Sequence, residues 1–414
     1  MLWWENRFLS VRGHKLFLGD SGASVIAEKY GTPLFVYSRA QILANYQRLR
    51  AAFAGQTDAE VRICYAMKAN PHRRILKILR AADAWIDAVS PGEVQAALDA
   101  GFPPQKILFT GTSVSADDLR KVFSLDGLTV NVDAVEQLEI MTNVRDRWFK
   151  NKKIRVSVRW NPGVGRGFNS KVITAGKRSS DGTPIKFGIE EAKVLAAFEK
   201  ASASGFKPVG LHQHLGSGWV KEDFPTVAGA VDKMILKASE LRRKGFSLEF
   251  LDFGGGFGPR YIKEQKPFPV KQYGQYICRK VRRSGLKIRA LAVEPGKFLV
   301  ADGGVLLVRV EYMKESYGNL FACVNGGTFN TLPRPAIYAQ ACHEIINASR
   351  ASGGWKVPVT VAGNLCETGD VFGKEIMMPV PKPGDILAIL TAGAYARSMA
   401  SNFNLRPIPR EIII

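Results

Sequence analysis

A lysine at the end of a short apolar run is the residue whose position most directly suggests chemistry. Lys68 directly follows the run 62–67, which has the composition of a buried strand. Desolvation at such a position lowers the pKa of a lysine ammonium, and the neutral amine condenses with an aldehyde to form an imine. Because a lysine that ends a strand is more often a solvated cap, Lys68 carries weight only together with other groups.

Two loops of small residues follow strand-like runs further along the chain. Gly254, Gly255 and Gly256 come after the run 248–253, and Ser217 lies in the loop His214-Leu215-Gly216-Ser217-Gly218. Glycines let backbone N–H groups approach an anion closely. Either loop alone is typical of a flexible turn, whereas the two together favour a phosphate site.

His214 and Glu294 also stand at the ends of strand-like runs. The apolar neighbours of His214 are typical of a structural core histidine, but its place beside the Ser217 loop suits an imidazole stacked on a flat ring. Glu294 follows an apolar run that is typical of a buried strand, and its carboxylate could bind a protonated pyridine nitrogen. His212 should share its side of the strand with His214, one layer deeper, and a purely structural role is an alternative for it. The amine, phosphate loops, imidazole and carboxylate together favour pyridoxal 5'-phosphate as the cofactor.

The elements that must position these residues alternate between strand and helix patterns from about residue 37 to 295. Helical periodicity separates eight short apolar runs, which is the number in a closed (β/α)8, TIM-like barrel. The runs are 62–67, 85–89, 107–110, 128–132, 154–160, 209–214, 248–253 and 289–294. A doubly wound open sheet is the alternative, but no glycine-rich fingerprint follows the first strand. Catalytic groups of such barrels collect at the carboxyl ends of the strands.

Beyond about residue 297 the pattern is that of β structure. Strand-like runs at 306–310, 357–361 and 386–390 are separated by Gly, Pro and Asn. They predict a β-sandwich or small β-barrel, completed by N-terminal strands around 7–18. The sequence thus predicts an α/β plus β protein, with a barrel over 37–295 and a β-rich domain from 1–36 and 296–414.

Composition limits the partners that we expect. The net charge is +21, but the basic residues are spread along predicted helices without interleaved aromatic residues, so a solvated surface is favoured over a nucleic-acid site. Five cysteines without paired spacing argue against disulfides and a zinc site, so no metal is expected. No segment approaches the roughly 18 apolar residues of a membrane span, and the N-terminus has no signal-peptide pattern. We therefore expect a soluble, cytoplasmic protein without a nucleic-acid or membrane partner.

The motifs, in order, resemble the fold-type III, pyridoxal-phosphate-dependent decarboxylases, most closely the diaminopimelate decarboxylase family. The resemblance covers nearly the whole chain and rests on segments that begin at Tyr65, Ser90, Lys186, His212, Gly254, Glu294, Arg334, Cys366, Gly393 and Ser401. It implies an alanine-racemase-like barrel with a C-terminal β domain. It also implies decarboxylation of meso-2,6-diaminopimelate to L-lysine, by a homodimer whose β domain contributes to the dimer interface and to the partner's active site.

The resemblance also implies a role for each matching residue. Lys68 would form the imine, His214 would stack on the ring, and Glu294 would meet the pyridine nitrogen. The phosphate end of the cofactor would be bound by Ser217, Gly254, Gly255, Gly256 and Tyr395, with Gly296 and Lys297 adjoining. The substrate would contact Lys297, Arg334, Tyr338, Glu367 and Tyr395, with Cys366 as the proton donor.

Two positions depart from the family pattern. Lys297 stands where arginine is usual, so the charge is kept but the bidentate fork is lost. Asn169 stands where many relatives carry histidine. Both positions leave the choice of substrate open.

Other functions therefore remain as alternatives. A related decarboxylase could act on lysine, ornithine or carrier-bound glutamate. An amino-acid racemase would carry arginine at the pyridine nitrogen, where this chain has Glu294. The non-enzyme alternatives are a cofactor carrier and a basic binding module.

Overall fold

The computed structural model describes residues 2–414, which form two compact units. The first unit comprises residues 46–258 and 267–296, and the second comprises residues 2–45, 259–266 and 297–414. Residues 37–45 and 259–266, which the sequence pattern grouped with the barrel, thus lie in the second unit.

The second unit starts with a small antiparallel sheet, in the order β1-β2-β3. The N-terminal elements are β1 Leu9–Arg12, β2 Lys15–Leu18, β3 Ser21–Gly22, α1 Ala23–Tyr30, β4 Leu34–Tyr37 and α2 Arg39–Ala51. Leu16 and Leu18 are fully buried in one apolar core with Val305 and Leu307. The strands near 7–18 therefore complete the β domain by packing against it, and within residues 2–414 they pair only with each other and with β3.

The first unit contains the barrel. Its strands are β5 Glu60–Ala66, β6 Trp85–Ala88, β7 Ile107–Phe109, β8 Thr129–Val132, β9 Arg155–Asn161, β10 Ile189–Glu190, β11 Lys207–His212, β12 Phe250–Asp252 and β13 Ala290–Val293. All of them pair in parallel. The pairings β13–β5 and β8–β9 close a ring of eight strands, and β10 pairs with β9 outside that ring. The predicted eight-stranded barrel is confirmed, since each predicted run overlaps one of these strands.

Helices connect successive barrel strands. They are α3 Arg73–Ala81, α4 Pro91–Asp99, α5 Ala116–Phe123, α6 Gln137–Trp148, α7 Val194–Ala203, α8 Phe224–Arg243 and α9 Val270–Ser284. Local sequence sets several of their ends: Ser90 accepts a hydrogen bond from the Glu93 N–H ahead of Pro91, and Ser115 forms a capping box with Asp118. Strands such as β6, β8 and β13 are almost wholly buried, which explains their continuous apolar sequences.

The second unit continues with a mostly β segment. Its elements are α10 Lys297–Val300, β14 Gly304–Ser316, β15 Asn319–Val324, α11 Arg334–Ile337, β16 Ile345–Asn347, β17 Lys356–Ala362, β18 Val371–Pro379, β19 Ile386–Ile389 and β20 Arg410–Ile413. The sheet order is β16-β19-β14-β15-β17-β18, and β4 pairs with both β14 and β20. The predicted β domain is confirmed, but the N-terminal strand that joins its sheet is β4, in place of the predicted strands around 7–18. Within residues 2–414, every helix is too short or too polar to cross a membrane.

Candidate active site

A cavity of about 290 Å³ lies at the carboxyl ends of the barrel strands. It is lined by Lys68, Val89, Thr110, Thr112, Arg159, Thr174, Phe187, His212, His214 and Glu294. This volume is near the lower end of the roughly 300–1,000 Å³ typical of small-molecule sites. The cavity occupies the place where barrel enzymes carry their catalytic groups.

Lys68 lies in a single helical turn, Met67–Ala69, directly after β5. Its Nζ is 2.8 Å from Oδ2 of Asp87, a fully buried carboxyl near the end of β6. Burial, reinforced by the charge of Glu294, raises the pKa of Asp87, and the ion pair with Lys68 opposes that shift. Asp87 therefore binds the amine of Lys68 and can exchange a proton with it.

His214 is held as a neutral imidazole. Its Nδ1 accepts a hydrogen bond of 3.1 Å from the Gly255 N–H, so a proton on the neutral ring belongs on Nε2. Burial lowers the pKa of His214 to about 3, and Glu294 opposes that shift only in part. A neutral imidazole at the cavity wall suits stacking on an aromatic cofactor ring.

Glu294 follows β13 directly, and only 4% of its surface is exposed. Its Oε1 lies 3.2 Å from His212 Nε2, and its Oε2 lies 3.7 Å from His214 Nδ1. Burial acts to raise the pKa of Glu294, but His212 and Lys68 hold it at about 2. The cavity therefore contains a buried carboxylate, the group that a protonated pyridine nitrogen requires.

The glycine loop after β12 packs closely against its neighbours. A Cβ on Gly255 would lie 1.9 Å from the backbone oxygen of Glu294, and one on Gly256 would lie 2.3 Å from the Trp219 ring. Both residues therefore have to be glycine. The N–H groups of Gly254 and Gly255 donate to Asp252 Oδ1 and His214 Nδ1, respectively. These two N–H groups therefore bond to side chains of the site itself, whereas the sequence predicted a direct contact with the phosphate.

Ser217 lies in the loop that faces this glycine loop. Its carbonyl accepts from the Phe168 N–H, and the Gly256 carbonyl accepts from the Gly218 and Trp219 N–H groups. Phe168 precedes Asn169, whose side chain caps a short turn by accepting from the Lys171 N–H. The Ser217 loop is therefore fixed from both sides, by segments that follow β9 and β12.

The wall opposite Glu294 contains residues that the sequence marked only as polar strand ends. Asp133 Oδ1 lies 3.5 Å from an Arg159 nitrogen and accepts from the Gly188 N–H, while its Oδ2 accepts from Thr112 at 2.5 Å. Arg159 also stacks on the Phe187 ring at 4.7 Å. Sequence reasoning assigned Arg159 and Thr112 no role, although their positions at strand ends were the available signal.

The residues of this cavity fit pyridoxal phosphate. Glu294 Oε1 and His212 Nε2 are buried atoms without a hydrogen bond of good geometry. The amine of Lys68, the neutral ring of His214 and the carboxylate of Glu294 line one space. This donor set matches an aldehyde, a flat ring and a ring nitrogen that carries a proton.

The second unit contains a group of buried cations. Lys297 is 5% exposed and Arg334 is 2% exposed. The Lys297 ammonium lies over the Tyr395 ring at 5.0 Å, and the Arg334 guanidinium lies over the Tyr261 ring at 4.8 Å. Burial and the charge of Arg334 lower the pKa of Lys297 well below its ordinary value. An anion bound beside Lys297 and Arg334 would oppose this shift and favour the protonated form of Lys297.

Arg334 and its neighbour Tyr338 belong to the turn around α11. The Arg334 Nε donates to His343 Nε2 at 3.4 Å, and the other nitrogen of His343 lies 2.8 Å from the Leu390 carbonyl. Tyr338 is half-buried where α11 ends. The guanidinium is therefore oriented by a histidine that sequence reasoning did not identify.

Cys366 and Glu367 are exposed on the loop between β17 and β18. Buried Asp370 holds this loop, because it accepts from the Thr328 N–H at 2.5 Å, the Thr328 hydroxyl at 2.8 Å and the Leu365 N–H at 2.7 Å. The Cys366 N–H donates to Asn404 at 2.9 Å. The loop thus presents a thiol and a carboxylate to solvent in a fixed conformation.

Comparison with known proteins gives one consistent result. A family model described as "Pyridoxal-dependent decarboxylase, pyridoxal binding domain" matches residues 39–301. The diaminopimelate decarboxylase of Methanothermobacter thermautotrophicus is 39% identical over 97% of this chain and 91% of its own length. That of Pseudomonas aeruginosa is 34% identical over 98% and 93%, respectively.

Solved structures agree with these relatives. The crystal structure of Helicobacter pylori diaminopimelate decarboxylase complexed with L-lysine matches with a TM-score of 0.86 and 32% identity, covering 94% of this chain and 93% of that one. The M. jannaschii enzyme in co-complex with L-lysine matches with a TM-score of 0.89 and 31% identity, covering 99% and 93%.

Proposed function

This chain belongs to the diaminopimelate decarboxylase family of pyridoxal-dependent decarboxylases, and we propose that it converts meso-2,6-diaminopimelate to L-lysine and carbon dioxide. The observation that carries the proposal is the barrel cavity, where Lys68, neutral His214 and ionised Glu294 line one space. Pyridoxal phosphate, when bound, supplies a sink for the electron pair that remains on the α-carbon as carbon dioxide leaves.

The chain's own residues hold and tune that cofactor. We propose that Lys68 Nζ would hold the cofactor's aldehyde group, and that Asp87, 2.8 Å from this nitrogen, would exchange a proton with it. Glu294, whose pKa is held at about 2, stays ionised and would accept a hydrogen bond from a protonated ring nitrogen. His214, neutral because its Nδ1 already accepts from Gly255, would pack on the ring face. Ser217, Gly256, Gly296 and Tyr395 are proposed contacts of the phosphate end.

The second unit supplies the proposed substrate contacts. Arg334, Tyr338 and Lys297 would bind the distal carboxylate, and Tyr395 would adjoin them. Support comes from the burial of both cations, and from the Arg334 charge, which contributes to the low pKa of Lys297. A substrate carboxylate would relieve the repulsion between these cations, so binding would favour the protonated form of Lys297.

We further propose that the chain acts as a homodimer, in which Cys366 and Glu367 serve the partner's site. Cys366 would return a proton to the α-carbon, and Glu367 would bind the distal amino group. Their exposure on a loop fixed by Asp370 supports this role. All five cysteines are free thiols, which supports a cytoplasmic setting.

Product analysis with matched cysteine variants tests the function. Protein supplied with pyridoxal phosphate and meso-2,6-diaminopimelate should release equal amounts of lysine and carbon dioxide, and no lysine without the cofactor. Cys366→Ala should lower kcat by about 10²–10⁴-fold if the thiol is the proton donor. Cys342→Ala, which changes another exposed thiol of the same unit, should leave kcat unchanged. Absence of lysine from the loaded protein would overturn the proposal.

One observation favours a second candidate, a decarboxylase for an amino acid without a distal carboxylate. Lys297 lacks the fork with which arginine holds a carboxylate. Parallel assays with lysine and ornithine, on the parent protein and on Lys297→Arg, separate the two candidates. Preference of the parent for lysine or ornithine would establish the second candidate and exclude the first.

A further inference from the structure

Three buried side chains form a cluster within the barrel, next to the cavity. His212, Asp252 and Glu294 each present a nitrogen or oxygen atom within 4.8 Å of the others. His212 and Asp252 are fully buried, and Glu294 nearly so. His212 and Glu294 line the cavity, and Asp252 ends β12 on the neighbouring strand.

Two carboxyl groups this close and this deeply buried cannot both be ionised at neutral pH. Each negative charge raises the free energy of the other, and burial penalises both. One of the two carboxyls therefore keeps a proton, and the contacts of each oxygen decide which.

Glu294 is the better placed of the two to carry the charge. His212 Nε2 lies 3.2 Å from its Oε1. Asp252 accepts one hydrogen bond, of 2.9 Å, from the Gly254 N–H to Oδ1. In the part of the chain that the structure describes, no donor reaches Asp252 Oδ2. A proton on Oδ2 would convert this atom into a donor, and an oxygen of Glu294, which could accept from it, lies within 4.8 Å of an Asp252 oxygen.

We propose that Asp252 is a protonated carboxyl group that donates a hydrogen bond from Oδ2 to Glu294. Together with His212 it is a positioning residue, which keeps Glu294 ionised and correctly oriented for the cofactor's ring nitrogen. The inference rests on the proposed role of Glu294, and it assigns Asp252 a protonation state opposite to that of its neighbour.

Two substitutions at the same position distinguish a protonated Asp252 from an ionised one. Asp252→Asn keeps an oxygen for the Gly254 N–H and an NH₂ donor toward Glu294, so the affinity for pyridoxal phosphate should stay within about threefold of the parent. Asp252→Leu keeps the approximate volume but removes both groups, so the affinity should fall about tenfold or more. Affinity is measured by titrating the apoprotein with cofactor in the absence of substrate. A failure of these predicted affinities can therefore be distinguished from a failure of the protein to form lysine.

Infrared spectroscopy of the apoprotein reports the proton directly and does not depend on the leucine variant folding. The parent at neutral pH should show the C=O stretch of a protonated carboxyl that Asp252→Asn abolishes and Glu294→Gln retains. Loss of that band in Glu294→Gln but not in Asp252→Asn would overturn the proposal. So would an asparagine variant that binds cofactor about tenfold more weakly than the parent, or a folded leucine variant with parental affinity.

Discussion

Gly255→Ala tests whether tight packing of the glycine loop positions Glu294. The new Cβ would lie 1.9 Å from the Glu294 carbonyl oxygen, whereas ordinary contacts begin at 3.4 Å, so the two segments must separate by 1.5 Å. Overpacking of this kind costs about 1–3 kcal/mol. For a unit of this size each kcal/mol lowers Tm by roughly 2–4 °C. Displacing Glu294 by even about 1 Å should weaken cofactor binding at least tenfold.

The control is the same substitution at an exposed position of a helix. Gly229 lies within α8, and a Cβ there meets nothing within 4 Å. Gly229→Ala should therefore raise stability by about 0.5–1 kcal/mol and leave cofactor affinity unchanged. Melting curves of both apoproteins and cofactor titrations provide the comparison. If Gly255→Ala melts and binds cofactor like the parent, the packing argument for this loop is refuted.

Three further substitutions test other parts of the structure. Asp370→Asn should lower the free energy of unfolding of the second unit by about 2–3 kcal/mol. The NH₂ group that replaces one oxygen would face the N–H of either Thr328 or Leu365, so that two donors would lie against each other. Thr328→Val, which removes one donor, should cost only about 1 kcal/mol. Hydrogen exchange at the Cys366 loop measures both effects, and equal protection in both variants would contradict this ranking. Arg155 and Lys207 overcome the effect of burial and hold the pKa of Glu249 at about 2, below its ordinary 4.5. This depressed pKa stabilises the fold above about pH 4.5, and the contribution is lost as pH falls toward 2. Glu249→Gln should therefore lower the free energy of unfolding by roughly 1 kcal/mol at neutral pH and leave it unchanged at about pH 2. Denaturant unfolding of variant and parent measures this, and a difference between them that is the same at both pH values would exclude the explanation.

The barrel could be predicted because its strands are buried on both faces. Runs such as 85–89 and 289–294 lack polar alternation, so their continuous apolar sequences marked eight strands. The positions of these runs also placed Lys68, His214 and Glu294 at strand ends, and all three residues line the cavity. Periodicity was sufficient here because position along a strand determines position in a barrel.

What the sequence could not predict depends on contacts between distant segments. The sequence did not indicate that His212 lies 3.2 Å from Glu294. The Gly255 N–H was expected to face an anion but donates to His214. Residues 259–266 have no compositional feature that separates them from the barrel, although they belong to the second unit. Each of these facts depends on which segments meet in the folded chain, and no local pattern encodes that.

Reductive trapping of the cofactor tests the central claim most directly. The protein is loaded with pyridoxal phosphate, reduced with borohydride and digested, and the modified peptide is then sequenced by mass spectrometry. Our account predicts one pyridoxyl group, on Lys68 and on no other lysine. A label on a different lysine, or no label after saturation with cofactor, would contradict it.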